Sequence, residues 1–392
     1  MIYSITSNRD TTLYEATASM NTGIDEVLEI TKTVSASNTA NTFNSRILMD
    51  FNLSSISKSI SAGIIGTYDG LTTPKYMLNL YTIAATNMDY NYSLAAFPIS
   101  QSWLMGKGRT SQRVSEGGIM VNQTEGASWT YRDGKKYLGN KWQSGSLISA
   151  GSTGSYSTNI GGGVWYDNYG NAASQSFEYE KTDIRMDITN IVSKWIDGTI
   201  VQDGLILLRS GSDQPGDVDE EKNGKPYGSL SFYSTDTHTV YKPKLEVIWQ
   251  DSNNGANSPT VMDTFETESI VDIKNMKSSY QKESRETFRL VVREKFPAKT
   301  YDTVSAALTN LRLPNSSYYS VRDYVTDEVV VPFDKIGTRL SSDSNGNLFS
   351  LWMDQFYPGR RYRFVFKTIG GEYEYPASQS LFDNGYTFKV SR

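Results

Sequence analysis

Residues 10–30 read DTTLYEATASMNTGIDEVLEI, and residues 46–53 read RILMDFNL. Thr12 to Glu15, Val27 to Ile30 and Arg46 to Phe51 each combine β-branched or aromatic residues with partial period-2 alternation. Successive side chains on a strand point to opposite faces, so this pattern is that of half-buried strands. Asn21-Thr22-Gly23 between the first two is turn material. Short strands joined by tight turns predict an antiparallel β fold at the start of the chain.

The same signals continue outward. Lys75 to Tyr81, Asn91 to Pro98, Ala127 to Tyr131, Ser176 to Tyr179, Gly204 to Arg209, Leu230 to Tyr233 and Lys244 to Trp249 are further candidate strands. So many short strands predict a sandwich or jelly roll. One helix is expected over Thr189 to Ile196, after Asp187 or Thr189 as the cap and before Gly198. Gln250 to Thr260, QDSNNGANSPT, is polar and holds Gly and Pro, so residues 251–260 read as a linker between domains 1–250 and 261–392. In the second domain Ser284 to Val292, Glu328 to Phe333, Tyr362 to Thr368 and Tyr386 to Val390 read as strands, with a hairpin at Ser344 to Asn347. That predicts a smaller β-sandwich of immunoglobulin-like size; residues 261–283 form a lead strand or wrap a neighbour.

Composition narrows the function. The chain has 392 residues, 38 Lys and Arg against 43 Asp and Glu, one His and no Cys. No clustered basic face exists to neutralise a run of phosphates, which argues against nucleic acid. Without Cys there is no thiolate nucleophile or Cys-bound zinc, and His238 alone makes no multi-His metal site. The N-terminus has neither a basic n-region nor an apolar h-region, and no apolar run reaches the roughly 20 residues of a membrane helix. Synthesis in the cytoplasm, without a signal peptide or membrane contact, is expected.

The candidate chemistry is sparse. Asp213, Asp217, Asp219, Glu220 and Glu221 lie within nine residues and could supply several calcium oxygens, though without EF-hand spacing; a solvated acidic loop is the plainer reading. Asp343 to Asn347 mimics half a calcium loop, but Asn-Gly between strands is an ordinary hairpin signal. Gly106-Lys107-Gly108-Arg109-Thr110 lacks phosphate-loop spacing. Trp165, Tyr166 and Tyr169, after Gly161 to Gly163, are candidates for stacking on sugars, against packing beneath a long loop. Glu178 and Glu180 share a strand face, and His238 has no serine elbow to serve. No catalytic constellation or cofactor motif emerges, so a non-enzyme without cofactor is expected, with calcium the one ion to consider.

The order of pieces in the first 250 residues resembles the DNRLRE family, a jelly-roll sandwich related to carbohydrate-binding modules. The pieces are Asp10 to Tyr14, Asn21-Thr22-Gly23 with Leu28-Glu29-Ile30, Arg46 to Leu53, Leu78 to Tyr81, Ala127 to Thr130, Asp187-Ile188-Thr189 with Trp195, Asp203 to Leu208, and Lys242 to Trp249. Phe232-Tyr233-Ser234 also fits. Residues 105–173 and 210–226 depart from the pattern as long insertions. The whole chain, ending in a β domain with Tyr357 to Phe364, is similar to structural proteins of tailed-phage virions, particularly T4-like marine ones. The resemblance implies an accessory of capsid, neck, tail or fibre base that docks other virion proteins and self-associates. The alternative it implies is a carbohydrate-binding module or host-glycan adhesin.

Overall fold

Alternating sequence becomes strand through most of the chain. The computed structural model describes residues 1–34, 42–86, 92–110, 125–134, 139–142, 153–154, 161–166, 172–177, 183–210, 227–255, 257–261, 269–296, 311–369 and 379–392. In chain order the strands are β1 (Ile2–Thr6), β2 (Arg9–Tyr14), β3 (Val27–Val34), β4 (Thr42–Asp50), β5 (Lys75–Leu80), β6 (Thr82–Thr86), β7 (Tyr92–Pro98) and β8 (Thr153–Gly154). Then come β9 (Trp165–Tyr166), β10 (Ala173–Phe177), β11 (Ile184–Asp187), β12 (Leu205–Ser210), β13 (Gly228–Tyr233) and β14 (Lys244–Ile248). The last ten are β15 (Ser269–Lys274), β16 (Ser279–Gln281), β17 (Arg285–Glu294), β18 (Ser317–Asp323), β19 (Val329–Val331), β20 (Ser341–Asp343), β21 (Gly346–Trp352), β22 (Arg361–Ile369), β23 (Gln379–Phe382) and β24 (Thr387–Ser391). With two eight-residue α-helices among the described residues, α1 (Ser54–Ser61) and α2 (Thr189–Ile196), the protein is all-β and of sandwich type.

The expected helix α2 forms over the expected residues, but its N-cap is Ile188, which makes no side-chain cap bond, and not Asp187 or Thr189. Asp187 Oδ1 instead accepts from Thr189 N at 3.0 Å and from Thr189 Oγ1 at 2.6 Å just ahead of the helix, while Ile191, Val192 and Trp195 are buried. Helix α1 was not expected. Its sequence SSISKSIS has Ile56 and Ile60 at helical spacing but only these two apolar residues among serines, and only Ile56 is buried.

Contacts divide the chain into two units. One holds Ile5–Lys58 and Tyr76–Glu246; the other holds Val247–Arg392 together with Met1–Ser4 and Ser59–Lys75. The sequence boundary near 250 thus falls close to the contact boundary. The two extra segments join the second unit because their main chains bond to residues after it: Trp249 N donates to Met1 O at 3.0 Å and Gln250 N to Thr67 O at 2.9 Å.

Segment 251–260 is also more than a spacer. Ser342 N donates to Asn253 O at 2.9 Å, and Gly255 N donates to Ser342 O at 2.8 Å, so a polar stretch with nothing to bury satisfies its backbone along β20.

In the first unit an eight-stranded sheet runs β10-β7-β12-β4-β3-β13-β6, with β2 added on β4. A separate four-stranded sheet takes the order β1-β14-β5-β11 and is not confined to the first unit, because residues 2–4, Lys75, Val247 and Ile248 are counted with the second. Leu13, Leu48, Phe97, Ile206 and Leu208 build a core with four indoles, Trp103, Trp129, Trp142 and Trp165. Ala127 to Tyr131, expected as a strand, forms a tight turn: Ser128 N donates to Tyr131 O at 2.8 Å, and Tyr131 N returns a bond to Ser128 Oγ at 3.2 Å. The serine hydroxyl offers the backbone a partner that a strand would have taken.

The second unit is a sandwich of β15-β17-β21-β20 against β16-β24-β22-β18-β19, with β23 also on β22. Aromatic rings from the two sheets interlock between them. Phe288 of β17 meets Phe364 of β22 at 4.9 Å edge-on, and Phe349 of β21 stacks on Tyr319 of β18 at 4.4 Å. Such pairs add to the stabilisation from burial itself. The β20–β21 hairpin closes as expected, with Asp343 opposite Gly346 and Asp343 Oδ1 accepting from Asn345 N at 2.8 Å.

Candidate functional site

Of the residues nominated for sugar stacking, Trp165 turns out to be structural. Trp165 is 0 % exposed, which removes it as a stacking platform for sugar: its ring packs 6.0 Å from Phe97. The Arg46 guanidinium lies 4.8 Å over Trp129 and 5.0 Å over Trp165, and Nη1 donates to Gly162 O at 2.6 Å. A Cβ on Gly162 would sit 2.4 Å from that nitrogen, so the glycine run makes room for the buried cation. Tyr166 is half-buried, and Tyr169 lies outside the described residues.

Residues 106–110 are likewise spoken for. Gly108 N donates to Asn21 Oδ1 at 2.8 Å, and the Thr110 amide and hydroxyl both donate to Asp25 Oδ2, the amide at 3.0 Å. These donors face protein carboxyl and amide oxygens.

At the half calcium loop, Arg289 donates to both oxygens of Asp343 at 3.0 and 2.7 Å. That pairing holds the Asp343 carboxyl below the ordinary range. His238 is exposed, 3.6 Å from Glu26. Asp213, Asp217, Asp219, Glu220, Glu221, Glu178 and Glu180 lie outside the described residues. Among the described residues no three His, Asp or Glu side chains gather as a metal site, and no helix is long and apolar enough to cross a membrane.

Two surface features of the second unit were missed. The first is the β18–β19 turn. Tyr324 is 51 % exposed and Val325 82 %, followed by Val329 at 43 % on the short edge strand. Asp327, at φ 58°, fixes the turn by accepting from Arg363 Nη2 at 2.6 Å, and Arg363 Nη1 donates to Asp383 at 2.5 Å. Arg322 Nη1 reaches Asp327 at 3.4 Å. The Arg363 hydrogen bond keeps the Asp327 carboxyl below its usual range. Leu381 and Tyr386, also exposed, flank Asp383. Apolar side chains thus stand in turns pinned by charge pairs. The available signal was the Tyr-Val pair at 324–325, in a position where turns are ordinarily polar.

The second feature is a cleft of about 550 Å³ lined by Lys274, Asn275, Lys277, Tyr280, Glu286, Thr287, Phe288 and Arg289. It presents amine, amide, hydroxyl and carboxylate groups together, with Lys277 3.8 Å from Glu286. No family model matches the chain, and no curated protein matches it in sequence.

Proposed function

We propose that this chain is a structural protein of a tailed-phage virion, a capsid, neck, tail or fibre-base accessory of DNRLRE type. It acts by docking onto neighbouring virion subunits and onto copies of itself. The observation that carries the reading is the exposed Tyr324, Val325, Leu381 and Tyr386 around the Arg322–Asp327–Arg363–Asp383 network. Apolar groups beside a fixed charge pattern are what a protein interface buries, and a stable one removes about 800 Å² from each partner. The motif order in the first 250 residues supports the family part of the reading.

A second reading, a carbohydrate-binding module or host-glycan adhesin, is favoured by the polar cleft beside Lys274 and Glu286. Sugar hydroxyls need the mixture of donors and acceptors it offers.

Light scattering of the purified chain, beside a glycan array, separates the two. The docking reading expects an oligomer that Val325→Glu dissociates, with the melting temperature held within about 2 °C because the side chain is exposed. A monomer giving a specific glycan signal would overturn it.

A further inference from the structure

Lys274, the last residue of β15, is the cross-strand partner of Arg289 on β17. Both line the cleft of about 550 Å³, and both line a second cleft of about 270 Å³ that reaches Leu311 and Asn345. The pair therefore stands where the two clefts meet, and together the clefts have the size of a small-molecule site. The cations at this junction differ in how they are engaged. Arg289 donates to both oxygens of Asp343, and Lys277 lies 3.8 Å from Glu286. Asp272, two residues before Lys274, lines neither cleft and accepts from Asn384 Nδ2 at 2.8 Å. Among the described residues Lys274 is exposed and has no carboxylate within ion-pair distance. Its ammonium is the one charge in the double cleft that no protein group answers.

We propose, resting on the glycan reading of this cleft, that the sugar it takes is acidic: a glycan residue bearing one carboxylate, such as a hexuronate. The carboxylate meets Lys274, and the sugar hydroxyls meet Asn275, Thr287 and Glu286. Three features select that class. A single unanswered ammonium matches a single carboxylate, and a charge-assisted hydrogen bond is stronger than a neutral one. Glu286 lies in the same wall, where it accepts from hydroxyls but repels densely charged chains such as polyphosphate. Tyr280 and Phe288 also line the cleft, yet they are 5 % and 3 % exposed and offer no open ring on which a neutral sugar could stack. Asn275, at φ 54°, is held in the turn that follows β15, so the amide is presented beside the cation.

The test is calorimetric titration of the full chain, at neutral pH and low salt, with disaccharides that each carry one uronate. Every one is run beside its carboxyl-reduced neutral counterpart, beginning with cellobiouronic acid and cellobiose. The acidic member of a pair should bind at least about fivefold tighter, and added salt should shrink that preference. Lys274→Ala should bring the acidic sugar down to the affinity of the neutral one, while Lys274→Arg should keep the preference. Because the side chain is exposed, neither substitution should alter the circular dichroism. Equal binding of both members leaves the glycan reading standing and overturns the acidic specificity. Binding of neither up to millimolar sugar removes the glycan reading of the cleft together with the proposal. A preference that survives Lys274→Ala places the carboxylate elsewhere, and inorganic phosphate that competes as well as the acidic sugar shows an anion site indifferent to sugar; either result overturns the proposal.

Discussion

Replacing Asn21 by alanine removes four hydrogen bonds from a side chain that is 0 % exposed. Its Nδ2 donates to Met105 O at 2.7 Å and Ala127 O at 2.8 Å; its Oδ1 accepts from Gly108 N at 2.8 Å and Gly23 N at 3.3 Å. Gly106, at φ 82°, approaches so closely that a Cβ there would lie 2.3 Å from Asn21 Oδ1. The amide thus ties the segments around 105–108 and 127 to the turn after β2. Each of the three short bonds contributes about 1 kcal/mol net, and carbonyls stranded by the truncation cost about 1–3 kcal/mol each. Water entering the vacated volume offsets part of this, which leaves a loss of about 4 kcal/mol. For a unit of 150–250 residues that lowers the melting temperature by about 8–16 °C. Circular dichroism melting measures it, and trypsin gives an independent readout, because Lys107 and Arg109 lie on the released segment. Asn190→Ala, at an exposed position in α2, is the control and should change stability by no more than about 0.5 kcal/mol. A melting point within about 3 °C of wild type, with no faster cleavage at Lys107 or Arg109, would refute the reasoning.

Three further outcomes are expected. Arg46→Lys keeps the charge but loses the flat guanidinium between Trp129 and Trp165; a denaturant titration should report a loss of about 2 kcal/mol, with altered tryptophan emission. Phe349→Ala empties the centre of the second sandwich, where the ring stacks on Tyr319 and Phe288, and calorimetry should find about 3–5 kcal/mol less stability. In metal-free buffer, stability should fall as pH rises from about 4 to about 8. Asp10 keeps its proton in the folded chain up to about 8, whereas the unfolded chain releases it near 4, so the favourable contribution is complete only below the unfolded value. Asp10→Asn should flatten this part of the profile in urea midpoints measured at several pH values.

How far the sequence could be read depended on whether a residue's role was set by its neighbours in the chain. Strands β3, β12, β14, β17 and β22 were legible because apolar and β-branched runs sit between turn residues. Strand β18 was not, since SYYSVRD is buried at six of its seven positions and shows no alternation. Strand β6 failed for the opposite reason, with four of its five positions exposed. The Trp129 segment misled because aromatic and β-branched residues satisfy the strand rule locally, while the Ser128 hydroxyl closes a turn. Side chains whose partners come from far along the chain left no local mark. Asn21 looked like turn material, yet its amide holds backbone 84 and 106 positions away. Asp10 looked like the start of a strand, yet its oxygen meets an amide 225 positions distant. The run of acids at 213–221 drew attention through its density in sequence alone. Asn21 and Asp10 are both settled by partners that no spacing rule would have paired with them.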